Sequence, residues 1–211
     1  MVSIGLQSDE KSWTHKCVGT IITSNAILTS SKCLEFEGNK TIKAGAENLE
    51  SPEAGRYVET YEVSQNFASL ATNDLAVVYT TKNMHFNNKT QAICLPKKAT
   101  NYNPEGIYAS FQQEGTDSRY TSNTDCNKSW SGLNLTCCSK VCVKLEQYQF
   151  YPKDSGAPLI QEERGDKSVD YFEVNGILAD LNEDNGKNPG VFAYVKHPDN
   201  FEFIRSKSTK S

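Results

Sequence analysis

The chain has 211 residues, 37% of them hydrophobic, enough to bury one large all-β core or two small ones, with no repeat array or low-complexity tail. Its 26 acidic and 22 basic residues give a net charge of −4 and are mixed along the sequence, which excludes a basic stripe for nucleic acid and a polybasic arm for a membrane surface. No apolar run approaches the length of a transmembrane helix, so no membrane partner is expected.

The opening MVSIGLQSDE alternates Val2, Ile4 and Leu6 with Ser3, Gly5 and Gln7, the period of a half-buried strand. A signal peptide would show a basic patch and an apolar block there, so the chain is expected to start inside a domain, with any leader or upstream module lying before it. Apolar runs at residues 17–23 and 25–29, parted by the polar turn Thr23-Ser24-Asn25, predict two more strands. The pattern continues at 57–63, 75–79, 141–145, 157–161, 171–178 and 191–195. The polar, Asn-rich stretch 102–106 is the best place for a connection between two halves. Residues 198–207 set Phe201 and Ile204 at helical spacing, and Pro198 and Asp199 suit the start of that helix. Many short strands and one late helix mean a sandwich or a barrel.

Seven cysteines, together with Asn-X-Thr/Ser sequons at Asn39, Asn88, Asn127 and Asn134, favour the oxidising secretory route, so a secreted, extracellular, glycosylated protein is expected. No metal site and no cofactor are expected.

Three blocks in order carry a resemblance: CVGTIITSNAILTSSKC at residues 17–33, NDLAVVY at 73–79 and KDSGAPLI at 153–160. They resemble the signature segments of the chymotrypsin/trypsin family of serine proteases (peptidase S1), whose usual forms are C-G-G-S/T-L-I…V-L-T-A-A-H-C, N-D-I/V-A-L-L and G-D-S-G-G-P-L. MVSIGLQ is similar to the family strand that follows a Pro-Trp pair, and AICLP and NPGVFAYV extend the likeness over essentially the whole chain. The resemblance implies one all-β domain over residues 1–211. It holds two six-stranded antiparallel β-barrels, the first over about 1–100 and the second over about 101–195, then a helix over about 198–207, with an active site in the cleft between the barrels.

In that family a histidine before the second signature cysteine takes the proton of a serine and is oriented by a buried aspartate. The resemblance sets Asp74 and Ser155 in the aspartate and serine places and Lys32 in the place of the base. A lysine of pKa near ~10.4 stays protonated at neutral pH, and a neighbouring carboxylate favours its charged form. An ion pair between Lys32 and Asp74 is therefore expected, with no general base for Ser155. A Ser-Lys dyad would need a dry lysine without an anion partner, a condition the retained Asp74 spoils. His15, His85 and His197 do not stand where they would replace the base.

The same resemblance makes Lys153 and Ser155 the oxyanion-hole positions, with Lys153 in place of a glycine. Gln149 stands at the base of the specificity pocket, and Ala179-Asp180-Leu181 replaces the S-W-G wall that pairs with substrate. Cys17 with Cys33, and Cys126 with Cys142, match family disulfides. Two others are missing as pairs, with Tyr151 facing a cysteine-free 181–189 and Gln161 matched with Gly106. In multidomain relatives the cysteine of the CLP segment is tied to an upstream domain, which gives Cys94 that role here. Cys137 and Cys138 are left either as swapped partners for Cys126 or Cys142 or as a mutual bond. Asp154, before the serine, is expected to be held by His15, as in zymogens of the family.

Together these features resemble inactive secreted homologues such as arthropod serine protease homologues, inactivated mite paralogues and haptoglobin, which also carries a lysine in this place. The expectation is a pseudoprotease that binds another protease, an inhibitor or an immune-cascade component. The alternatives are a weakly active trypsin-like serine endopeptidase and a structural or storage protein.

Overall fold

The computed structural model describes residues 1–7, 13–45, 59–70, 74–99, 106–111, 116–120, 139–145, 149–164, 170–181 and 189–208. The first six strands are β1 (Val2–Gln7), β2 (Trp13–Ile21), β3 (Ala26–Thr29), β4 (Lys40–Ala44), β5 (Glu59–Leu70) and β6 (Leu75–Thr80). They close into an antiparallel barrel in the order β1-β2-β3-β6-β5-β4. Closure depends on β1, which pairs on one edge with β2 and on the other with β4, so Ile4 lies between Cys17 and Ile42. Because alternate residues face inward, Val2, Ile4, Ile21, Ile27, Ile42 and Val78 form one buried core.

The second barrel repeats the plan with β7 (Gly106–Tyr108), β8 (Thr116–Tyr120), β9 (Lys140–Leu145), β10 (Pro158–Arg164), β11 (Asp170–Asp180) and β12 (Gly190–Tyr194), in the order β10-β11-β12-β9-β8-β7. Tyr108, Phe150 and Phe192 meet edge to face at its centre, with ring centroids 5.0–6.1 Å apart, the geometry that aromatic quadrupoles favour. A third apolar cluster joins the barrels. Leu28, Leu75 and Val77 of the first pack with Val174, Ile177 and Val195 of the second and with Ile204 of the closing helix α1 (Pro198–Ser208). The cleft is thus fixed by a dry junction. Among the described residues no helix is long and apolar enough to cross a membrane.

Three strands escape the hydrophobic pattern. β4 reads KTIKA and buries only Ile42 and Ala44, β8 reads TDSRY without apolar alternation, and β7 is three residues long. β5 runs on to Leu70 because the β5–β6 register shifts between Val63 and Phe67 and then resumes. The expected connection at 102–106 falls outside the described residues except for Gly106, which opens β7. β7 and β10 pair Tyr108 with Leu159 and Ile107 with Ile160.

Cys17 and Cys33 form a disulfide. Cys142 is disulfide-bonded, and Cys126, Cys137 and Cys138 lie outside the described residues. Asn127 and Asn134 lie outside them too, whereas Asn39 and Asn88 are exposed. Cys94 is an exposed free thiol.

Candidate functional site

Ser155 sits on a short loop that the rest of the fold constrains closely. Pro152–Asp154 form a 3-10 turn after the extended Tyr151, and the chain then reverses at Gly156, whose φ of +87° is in the left-handed region. A side chain there would be strained and would collide with the Val18 carbonyl and the Thr29 hydroxyl. Val18 N–H donates to the Ser155 carbonyl at 2.9 Å and Gly156 N–H to the Leu178 carbonyl at 2.8 Å, so both barrels hold this loop. The Ser155 hydroxyl is buried and has no hydrogen-bond partner among the described residues.

The turn Ser31–Leu34 and Asp74 lie at the same junction. The Cys33 sulfur is 3.4 Å from the Ser155 carbonyl oxygen, and Lys32 N–H points at Asp74 Oδ1 from 3.4 Å. The structure therefore brings Lys32, Asp74 and Ser155 into one neighbourhood. Asp74 is 5% exposed and has a φ of 56°, the one left-handed non-glycine residue among those described. Its carboxylate accepts the Ser30 hydroxyl at 2.9 Å and the Ser31 hydroxyl.

The expected ion pair between Lys32 and Asp74 is not formed. The Lys32 ammonium reaches across the cleft to Asp180 Oδ1 at 2.7 Å, both side chains being partly exposed at 46% and 31%. The reason is competition at close range: two serine hydroxyls adjacent to the lysine already serve Asp74, while the long lysine side chain gains a wetter carboxylate on the opposite wall. Asp180 also accepts Leu181 N–H at 3.0 Å. Its neighbours are not open groove: Ala179 is buried and Leu181 packs on the second barrel's core. Gln149 is partly buried just before the core residue Phe150.

The expected contact between His15 and Asp154 is absent as well. Asp154, 1% exposed, accepts the Tyr108 hydroxyl at 2.8 Å and Tyr151 N–H at 3.3 Å through Oδ2, and the Ser110 hydroxyl also bonds it. Burial pushes its pKa up to about 6 despite these donors. His15 Nε2 meets the Lys153 carbonyl at 3.2 Å and Nδ1 meets Ser3 Oγ at 2.7 Å. A carbonyl only accepts, so Nε2 carries the proton and Nδ1 accepts from Ser3. Desolvation lowers the imidazole pKa to about 4, which keeps it neutral in this role. His15 thus braces the residue before Asp154, and Tyr108, on the wall of the second barrel, occupies the place expected for it. Lys153 lies in the 3-10 turn without a left-handed φ, so its Cβ is accommodated.

The site depends on residues not singled out from the sequence: Ser30, Ser31, Tyr108, Ser110 and Ser3. A signal existed for the first two, since T-S-S-K-C stands where the family reads T-A-A-H-C, adding two hydroxyls beside the aspartate. Tyr108 and Ser110 carry no local motif.

Comparison with known proteins agrees with this architecture. Chymotrypsin-C of Bos taurus is 31% identical over 210 residues, 88% of this chain and 76% of that protein. Trypsin alpha of Drosophila melanogaster is 24% identical over 171 residues, 72% of this chain and 65% of that protein, so the chain spans just under two thirds of the fly enzyme. Chymotrypsin-C of Rattus norvegicus is 28% identical over 104 residues, 47% of this chain and 38% of that protein. Residues 1–201 match the family described as Trypsin, and with two closed barrels meeting at the Asp74 and Ser155 loops, the chain belongs to the trypsin family of serine proteases.

Proposed function

We propose that this chain is a catalytically inactive member of its family, a secreted pseudoprotease that works by binding another protein. The observation that carries the reading is the state of Ser155: its hydroxyl has no hydrogen-bond partner among the described residues, so no group there stands ready to take its proton. Lys32, read as the residue in the base position, is a cation committed to Asp180, and Asp74 is committed to serine hydroxyls. The pair from Lys32 to Asp180 also lies across the wall where an extended substrate would run.

On this reading the protein acts as a cofactor, decoy or regulator, and its partner is a protease, an inhibitor or a component of an immune cascade. The exposed sequons at Asn39 and Asn88 support glycosylation in the secretory route. Cys94, exposed and free, is suited to a covalent tether to an upstream segment.

The test is reaction with a fluorophosphonate probe at neutral pH. No labelling of Ser155 and no peptide turnover are expected. Labelling that disappears in Ser155→Ala would overturn the reading and make a weakly active serine endopeptidase the better one.

A further inference from the structure

Residues 85–89 stand out from the first barrel between two buried anchors. Met84 is buried and donates its N–H to the Ser24 carbonyl at 2.6 Å, and Thr90 is buried as well. Between them the chain reverses at Asn88 and Lys89: Asn87 N–H donates to the Thr90 carbonyl at 2.9 Å, and Thr90 N–H to the Asn87 carbonyl at 3.3 Å. The Asn87 side chain locks the turn, its Oδ1 accepting Lys89 N–H at 2.8 Å and Thr90 N–H at 3.0 Å. The Asn87 carboxamide is thus turned back on its own loop, while the two residues that flank it, Phe86 and Asn88, are both exposed.

The turn reads F-N-N-K-T, an aromatic residue two places before the asparagine of a sequon. Phe86 is 49% exposed, the most exposed large apolar side chain among the described residues, and it takes no part in the three apolar clusters. Two residues of chain span at most about 7 Å, so a sugar on the Asn88 amide lies within reach of the ring. The face of an aromatic ring is negative, and the face of N-acetylglucosamine presents polarised C–H groups, so the two surfaces suit each other. Asn39, the other exposed sequon among the described residues, lacks such a seat. The aromatic residue before it, Phe36, packs on the first barrel's core, and the Lys40 ammonium stands over its ring at 4.7 Å.

We propose that Phe86 seats the first N-acetylglucosamine of a glycan on Asn88, ring and sugar together closing the turn, an inference that rests on the secretory, glycosylated reading of the chain. The attachment commits the occupant, because the sugar is bonded two residues from the ring it covers. Asn88 Nδ2 takes the sugar from a lipid-pyrophosphate-linked oligosaccharide of that route. A C–N bond forms at the anomeric carbon, its bond to the pyrophosphate oxygen breaks, the amide gives up one proton and nothing is oxidised.

The test secretes the whole chain from a eukaryotic host behind a cleavable leader and maps each sequon by mass spectrometry. Asn88 is expected to be occupied. Trimming the glycans to one N-acetylglucosamine should leave the melting temperature unchanged, whereas Asn88→Gln should lower it by about 2–4 °C. In a Phe86→Ala background Asn88→Gln should make no difference; both positions are exposed, so the core stays intact in every variant. The ring current of Phe86 should move the proton signals of the Asn88-linked sugar upfield, and Phe86→Ala should return them, while the sugar on Asn39 should be indifferent to Phe86. A bare Asn88, sugar signals that Phe86→Ala leaves in place, or a loss on Asn88→Gln that persists in full without Phe86 each overturn the proposal. Secretion with Asn39 occupied and Asn88 bare would sink the proposal and leave the secretory reading standing, and a chain bare at every sequon would sink both. Labelling of Ser155 by a fluorophosphonate would leave this proposal standing.

Discussion

Asp74 in the first barrel and Asp154 in the second invite direct comparison. Each is buried at the barrel junction, and each is served by two hydroxyls and one backbone N–H: Ser30, Ser31 and Lys32 N–H for Asp74, Tyr108, Ser110 and Tyr151 N–H for Asp154. Neither carboxylate holds a cation among the described residues, although the family resemblance assigns an imidazole to both. The difference lies in where the donors come from. Asp74 takes its donors from consecutive residues of one facing loop, so a short stretch of sequence decides its state. Asp154 draws on a strand more than forty residues earlier as well as on its own turn. A buried carboxylate can thus be kept by neutral donors alone, and the fold survives the exchange of a charged partner for hydroxyls.

The largest effect should come from removing the donors of Asp74. The double variant Ser30→Ala, Ser31→Ala deletes two hydrogen bonds to a buried carboxylate, each worth about 1.5–3 kcal/mol, so a loss of roughly 3–6 kcal/mol in denaturant unfolding is expected. An unchanged midpoint would show that water replaces the serines.

Asp154 should answer through pH. Its folded pKa of about 6 lies above the ordinary 3.8, so the native state holds more protons between those values and this group's contribution, complete below pH 3.8, is lost as pH rises through 6. His15 works in the opposite sense: its folded pKa of about 4 lies below 6.5, so its contribution is complete above pH 6.5 and lost as pH falls toward 4. The two slopes nearly cancel in the parent. Asp154→Asn should remove one of them, raising stability at pH 7 by up to about 3 kcal/mol and exposing a stability that climbs from pH 4 to 6.5. Equal pH profiles for variant and parent would refute this account.

The smallest effect belongs to Lys32→Ala. The ion pair with Asp180 is partly exposed on both sides, and such pairs contribute less than about 1 kcal/mol. The melting temperature should shift by no more than about 2–4 °C. A shift several times larger would mean that the ammonium supports more of the cleft than Asp180.

Much of the architecture could be read from the chain, and the reasons are specific. DLAVVY and DSGAPLI occupy places where packing leaves little choice, and Gly156 shows why, since any side chain there would meet Val18 and Thr29. The position of a residue was therefore legible. The partner of a flexible side chain was not: Lys32 reaches Asp180 and His15 reaches the Lys153 carbonyl because nearer or drier donors had taken the expected acceptors. β4, β7 and β8 went unread because short or mostly polar strands owe their pairing to the barrel around them.

The bridge from Lys32 to Asp180 bears on how hard the chemistry would be to regain. On the proposed reading both partners depart from the family pattern, one on each wall, and each now answers the other's charge. A histidine written back at position 32 would find Asp74 already served by Ser30 and Ser31, and would leave Asp180 facing it as an anion where the family has an indole. Neither change alone rebuilds a proton relay. On that reading the way back runs through several substitutions that must arrive together, and the pair acts as a ratchet tooth against regaining the relay.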